Sequence, residues 1–264
     1  MTAISPKVPI ISDFAEVNGI NLYYEIYGKG DPLVLLHGGG STIEVTFGKI
    51  IPHLANRYQV IAVEAQNHGR SGFRPDPETF KQDAADVAAV LQQLGISKAS
   101  FFGFSNGGHT CIEIALHHPQ IINKLIIAAA PYKRTGFIPG FFEAMDNATM
   151  ENMPQPLKEA FLQVTPDSAK LQTMFERDRN RMIAFTDWTD EQIRSITAPT
   201  LLINGDNDVM TVENTIEMYR LLPNGRLAII PGIHGKYIGE LTTSHSDKDI
   251  APALLLIEEF INSK

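Results

Sequence analysis

The sequence predicts an α/β fold: a mostly parallel sheet covered by helices on both faces and interrupted by one helical insertion. Three observations carry this. Short, largely apolar runs, such as residues 33–36 and 99–102, are those of strands buried on both faces. Segments of helical period lie between them, and such alternation implies parallel strands joined by crossover helices. The alternation stops at Pro131 and resumes at Thr200.

The elements follow in order. Residues 14–17 and 22–27 flank Asn18-Gly19, a strong hairpin signal. Strand 33–36 comes next, then a helical stretch over 43–56 and a strand over 59–63. In residues 80–94 the apolar Val87, Val90, Leu91 and Leu94 recur at helical spacing and stop at Gly95. Strand 99–102, helix 106–118 and strand 124–129 complete the first run. Between 131 and 197 no strand is readable, and helix-like pieces cover 155–164 and 168–182. Strand 200–203, helix 212–222, strand 226–230 and helix 250–261 close the chain. The predicted organisation is a core of residues 1–130 and 198–264, with residues 131–197 as a helical insertion flanked by Pro131 and Pro199.

A chain of 264 residues suffices for one large α/β domain. Its net charge of −8 and the lack of a basic stripe argue against a nucleic-acid partner. The single cysteine, Cys111, excludes an intramolecular disulfide; in its helix it reads as a small buried apolar residue. No segment approaches the roughly 20 apolar residues of a membrane span, and Met1 to Phe14 lack a signal-peptide core. A cytoplasmic protein without membrane contact is therefore expected. No His-Glu-x-x-His motif or paired Cys/His spacing suggests a metal, and no cofactor is expected. The insertion and the sheet edges offer surfaces for a homodimer.

The chemistry starts at Gly103-Phe104-Ser105-Asn106-Gly107-Gly108, between a strand and a helix. A Gly-x-Ser-x-Gly in that position forms a tight turn that lifts the serine out of the backbone. A serine hydroxyl is a weak nucleophile and needs a base, itself oriented by an acid. In a parallel sheet such groups collect beyond the carboxyl ends of the strands. Past strand 200–203 stand Asp206 and Asp208; past strand 226–230 stands His234. Ser105 with His234 and one of the two acids is the candidate triad, with His245 as a weaker competitor for the base. His109 is expected to point away from Ser105. Past strand 33–36, His37-Gly38-Gly39-Gly40 lets backbone N–H groups approach a ligand. The expected oxyanion donors are the N–H groups of Gly39 and Asn106. Gly38, Gly40, Phe104 and Trp188 are candidate substrate contacts.

These residues resemble the α/β-hydrolase superfamily over nearly the whole chain: the opening hairpin, His37-Gly38-Gly39, His68-Gly69-Arg70-Ser71, the turn at Ser105, Gly205-x-x-Asp208 and the late His234. The resemblance implies an eight-stranded α/β-hydrolase fold, assigns the acid to Asp208 with Asp206 second, and makes residues 131–197 a cap over the site. Glu64-Ala65-Gln66-Asn67-His68-Gly69 departs from a commoner Asp-x-Arg-Gly-His-Gly, so neutral Gln66 stands where a cation is usual and should alter a hydrogen-bond network. The implied function is cofactor-independent serine hydrolysis of a small or medium acyl substrate, an ester by default. A lactone, a carbon–carbon bond, metal-free haloperoxidase or perhydrolase chemistry, and a non-catalytic ligand receptor are the alternatives on the same fold. A carbon–carbon substrate usually bears carboxylates and would want a cation. Lys133, Arg134, Arg177, Arg179 and Arg181 lie in or beside the insertion, and they are expected on its solvated surface.

Overall fold

A computed structural model describes residues 8–263. Eight strands form one sheet: β1 (Ile11–Val17), β2 (Ile20–Tyr27), β3 (Asp31–Leu36), β4 (Tyr58–Val63), β5 (Ala99–Phe104), β6 (Ile122–Ala128), β7 (Thr200–Asn207) and β8 (Gly225–Ile233). Their spatial order is β1-β2-β4-β3-β5-β6-β7-β8. β1–β2 and β2–β4 pair antiparallel, and all other neighbours pair parallel. The two-residue turn of the opening hairpin is Asn18-Gly19, both with positive φ, as such a connection requires. The centre of the sheet is the driest part: all six residues of β5 are buried, as expected for a strand with helices on both faces.

The helical stretch expected over 43–56 is two short helices, α1 (Ile43–Phe47) and α2 (Ile51–Leu54). Gly48 ends the first, and Pro52 sits in the first turn of the second, where its missing N–H is harmless. β7 runs four residues and β8 three residues past the ends of their apolar runs. β8 tolerates Pro231 and Gly232 because it is the outer edge strand and is only partly buried.

The core helices are α3 (Phe80–Gln93), α4 (Asn106–His117), α9 (Val212–Leu221) and α10 (Asp247–Asn262). Between β6 and β7 lie α5 (Phe141–Asp146), α6 (Gln155–Val164), α7 (Ser168–Ile183) and α8 (Asp190–Arg194). α8 is announced by a capping box between Thr189 and Gln192. The inserted segment buries its apolar residues in two places. Phe137, Phe185, Trp188, Ile193 and Ile196 join the main core, while Met153, Phe161, Leu171 and Met174 form a smaller cluster of their own. No helix among the described residues is long and apolar enough to cross a membrane.

The packing that positions the site is that of α4 on the sheet. A side chain at Gly107 would fall on the Leu36 carbonyl of β3, and one at Gly103 on the Gly107 carbonyl and within 2.7 Å of the Cys111 sulfur. Helix and strands therefore meet backbone to backbone. Gly107→Ala should cost at least about 3 kcal/mol, because the obstacle is a main-chain oxygen that cannot rotate away. Gly19→Ala, which meets nothing within 4 Å, should cost only the roughly 1–2 kcal/mol of its backbone conformation. Urea denaturation of the two variants tests the ranking, and equal losses would contradict this packing.

Candidate active site

Ser105 joins β5 to α4 with φ 54° and ψ −119°, a conformation that costs a non-glycine residue of order 1–3 kcal/mol and persists only where the surroundings impose it. Here they do. Its N–H donates to the Ala128 carbonyl of β6 (2.8 Å), and its carbonyl accepts from the Gly108 and His109 N–H groups (2.8 and 3.1 Å). Ser105 is half-buried while its neighbours on both sides are buried. It also stands at the N-terminal, positive end of α4.

Two parallel strands over, the ends of β7 and β8 bring an acid and a histidine together. His234 Nδ1 donates to Asp208 Oδ1 at 2.6 Å, and the Val209 N–H donates to the same oxygen at 2.7 Å. The Asp208 side chain is fully buried. With Nδ1 committed, Nε2 is the free basic nitrogen of the ring. Burial alone would lower the pKa of His234; the Asp208 carboxylate, helped by Glu240, outweighs it and holds the value above that of an ordinary histidine. Asp206 lies elsewhere, exposed, accepting from the Gly232 N–H and the Asn207 amide. His245 turns to the Thr243 carbonyl (3.0 Å). The geometry thus brings Asp208, and neither competitor, to His234.

Phe104 connects the parts. Its ring centroid is 4.6 Å from that of His234, and its edge lies 3.3 Å from where a Gly38 side chain would begin. The same point is 3.4 Å from Ser105 Cβ. Phe104 is itself fully buried, so it supports the histidine from beneath and has no face for a substrate. That corrects its expected role.

Two neutral histidines shape the glycine loop. His37 donates from Nδ1 to the Gly38 carbonyl (2.7 Å) and accepts the Ala65 N–H at Nε2 (3.0 Å); burial pushes its pKa down to about 3. His68 donates from Nδ1 to the Gln66 carbonyl (2.9 Å) and accepts the Gly40 N–H at Nε2 (3.2 Å). The nearby Asp178 carboxylate pulls this ring towards protonation, but the Gly40 N–H aimed at Nε2 requires the neutral form. The Gly38 N–H turns to Thr46 Oγ1 (3.4 Å). The N–H groups of Gly39 and Asn106, by contrast, have no acceptor among the described residues. α6 lies over the loop: a side chain at Gly40 would reach Met153 Cε at 3.5 Å and Leu157 Cδ1 at 3.6 Å.

Beside the loop runs a buried polar network. Arg74 forms a bidentate pair with Asp86 and also donates to Gln66 Oε1 (3.0 Å), and Gln66 Nε2 donates to Asp83 Oδ1 (3.1 Å). Gln66 therefore transmits the network as a donor and an acceptor. Arg181, expected on the surface, is only 6% exposed. It donates to Asp83 Oδ2 at 2.6 Å and to Asp178 Oδ1. One guanidinium between two carboxylates is the reason it can be buried. Asp178 also accepts from Asn106 Nδ2 (3.0 Å). Burial would raise its pKa, but the Arg181 guanidinium outweighs it and holds the carboxyl well below the usual carboxylate range.

The other four cations are engaged as well. Lys133 pairs with Asp190 and Glu217. Arg134 donates to the Ile183 and Phe185 carbonyls, Arg177 to three carbonyls of residues 74–76, and Arg179 to that of Ala148. Trp188 donates from Nε1 to Glu113 (2.8 Å), eight residues along α4 from Ser105. Its indole stacks on His109, which is fully buried among Phe80, Phe185 and Trp188 with Nε2 on the Pro131 carbonyl (3.1 Å). Sequence reasoning missed Asp178 and Glu240. The spacing Asp178-x-x-Arg181 on one helix face was the available signal for the first; nothing local marks the second.

A model of the alpha/beta hydrolase fold matches residues 31–169. The chain is 27% identical over 253 residues to 2-hydroxy-6-oxo-6-(2'-aminophenyl)hexa-2,4-dienoic acid hydrolase of Metapseudomonas resinovorans, covering 84% of this chain and 83% of the relative. It is 24% identical to a non-heme haloperoxidase of Rhodococcus erythropolis, covering 87% and 95%. Among solved structures, the enol-lactonase of Burkholderia xenovorans superposes with a TM-score of 0.73 at 20% identity, over 95% of this chain and all of that one.

The burial of His109 has a consequence for stability. Its pKa falls from 6.5 to about 3 on folding, chiefly through burial. Between those values the unfolded chain binds the proton and the folded chain does not, so acidification favours unfolding. Relative to His109→Gln, the wild-type protein should lose stability as the pH falls from 6.5 towards 3, by up to about 1.4 kcal/mol per pH unit. Urea denaturation at several pH values reads this slope, and a pH-independent difference between the two proteins would refute it.

Proposed function

The chain belongs to the alpha/beta hydrolase fold family, and from that premise we propose that it is a hydrolase working by acyl transfer at Ser105, with His234 as base and Asp208 as the acid that orients it. The observation that carries the reading is the 2.6 Å contact of His234 Nδ1 with Asp208, which leaves Nε2 basic on a ring tied through Phe104 to the strained Ser105 turn.

Nε2 takes the Ser105 proton as Oγ attacks the substrate carbonyl. The oxyanion that forms is held by the N–H groups of Gly39 and Asn106, the two that have no internal acceptor. The C–O bond to the leaving group then breaks, and the imidazolium returns its proton to the departing oxygen. Water, deprotonated by the same nitrogen, releases the acid from the acyl-enzyme. Residues 131–197 act as the cap, with Met153 and Leu157 over Gly40 giving the cleft an apolar wall.

The relatives with which this chain shares sequence or fold cleave different bonds, so the family supports hydrolysis more strongly than any one substrate. The cations of the insertion favour an ester or its cyclic form, a lactone. A keto acid cleaved at a carbon–carbon bond carries carboxylates, and Lys133, Arg134, Arg177, Arg179 and Arg181, five of the eight Lys and Arg residues in 131–197, are already engaged with carboxylates or carbonyls. Perhydrolysis and a receptor without turnover are separated from this reading by experiment.

A fluorophosphonate should label Ser105, and Ser105→Ala should abolish p-nitrophenyl butyrate hydrolysis without unfolding; retained turnover would refute the serine mechanism. Because His234 acts unprotonated and its pKa is raised, kcat/KM should fall as the pH drops through a value above 6.5. Asp208→Asn should cost on the order of 10⁴-fold in kcat, while Asp206→Asn should leave most activity.

A further inference from the structure

We propose that Asp178 sets the substrate class: it selects acyl groups that carry a hydrogen-bond donor, a hydroxyl or an amine, within a few carbons of the carbonyl, and it rejects those that carry a carboxylate. This deepens the serine-hydrolase reading and rests on it.

The argument begins with position. A side chain at Gly39 would begin 2.5 Å from Asp178 Oδ2 and 2.5 Å from the Asn106 side-chain nitrogen. Gly39 and Asn106 are the two residues whose N–H groups await the oxyanion. Asp178 thus reaches from α7 on the insertion to the edge of the place where the carbonyl carbon must lie. Any side chain at residue 39 would have to push these two polar groups aside.

The two carboxylate oxygens differ. Oδ1 accepts from Asn106 Nδ2 and Arg181 and stands 3.8 Å from His68 Nε2. Oδ2 takes no hydrogen bond from a described residue, and it is not among the buried polar atoms that lack a partner. The side chain keeps 12% of its surface exposed. A carboxylate fixed by one oxygen, with the other open beside the reacting centre, is a ready acceptor for a substrate O–H or N–H.

The charge count agrees. Arg181 is shared between Asp83 and Asp178, so its charge is already engaged. His68 contributes no positive charge while it accepts the Gly40 N–H. The open Oδ2 belongs to a carboxylate that Arg181 keeps ionised, so it presents negative charge beside the glycine loop, in a setting with little water, where like-charge repulsion is stronger than in solution. A substrate carboxylate beside Oδ2 meets that charge directly.

Three methyl esters of similar length test this: methyl butyrate, methyl 3-hydroxybutyrate and monomethyl succinate, with kcat/KM followed by acid release. In the wild-type protein the hydroxy ester should be preferred over butyrate, and the succinate monoester should lie at least tenfold below it. Asp178→Asn keeps the shape and removes the charge, so it should raise the succinate-to-butyrate ratio at least tenfold and shrink the preference for the hydroxyl. A merely structural role would lower all three esters together and leave the ratios fixed. Should the variant fail to fold, the wild-type order alone decides, and equal use of succinate monoester and butyrate overturns the proposal. Fluorophosphonate labelling of Ser105 is scored in parallel. A protein that labels and hydrolyses butyrate without discriminating charge overturns the role of Asp178 alone; one that neither labels nor hydrolyses overturns the serine reading and this inference with it.

Discussion

The site depends on one constraint: the first turn of α4 meets the sheet backbone to backbone. Because Gly103 and Gly107 bring main chain against main chain, the turn between β5 and α4 has no room to relax, and Ser105 is held at positive φ by the hydrogen bonds around it. The same approach sets the helix N-terminus beside the glycine loop after β3. Parallel neighbours do the rest. β7 and β8 end on the same side of the sheet as β3 and β5, and their following loops deliver Asp208 and His234 there.

The insertion is fastened to this arrangement by charge as well as by apolar packing. Its aromatic residues extend the main core, which gives adhesion without direction. The Arg181 ion pairs with Asp83 and Asp178 and the Asn106 amide supply direction. Breaking a buried pair leaves an uncompensated charge at a cost of roughly 3–5 kcal/mol, so α7 has one strongly preferred seat on the core. Its position fixes what stands beside Gly39 and Asn106.

Most of the fold is legible in the sequence because its signals are local. Buried parallel strands show as largely apolar runs, helices as apolar residues at helical spacing, and the hairpin as Asn18-Gly19. Elements blur where tertiary context decides. Gly48 and Pro52 split one helical stretch into two short helices, and β8 continues through Pro231 because an edge strand forgives a missing donor. The candidate site is legible in the same measure. Ser105, Asp208, His234 and the glycine loop each follow a strand, and position within an α/β sheet makes them stand out. What stays hidden is pairing at long range. Nothing beside Arg181 announces Asp83, 98 residues away, so a buried ion-paired arginine reads as surface charge. Phe104 and Trp188 are hidden likewise: aromatic residues look alike in sequence whether they face a ligand, a histidine or Glu113.

His234 follows the outermost strand. β8 has a neighbour on one side only, and most of its residues are partly exposed, so it has the fewest bonds to lose of any parallel strand. In such a sheet, fraying starts at the edge and needs less free energy than global unfolding. Fraying of β8 would carry off the imidazole while Ser105, anchored in the dry centre, stays formed. The protein would then have an off state that is almost wholly folded, with activity fading in mild denaturant before circular dichroism changes. Amide exchange in β8 faster than in β5 would be its signature, and uniform exchange across the sheet would exclude it.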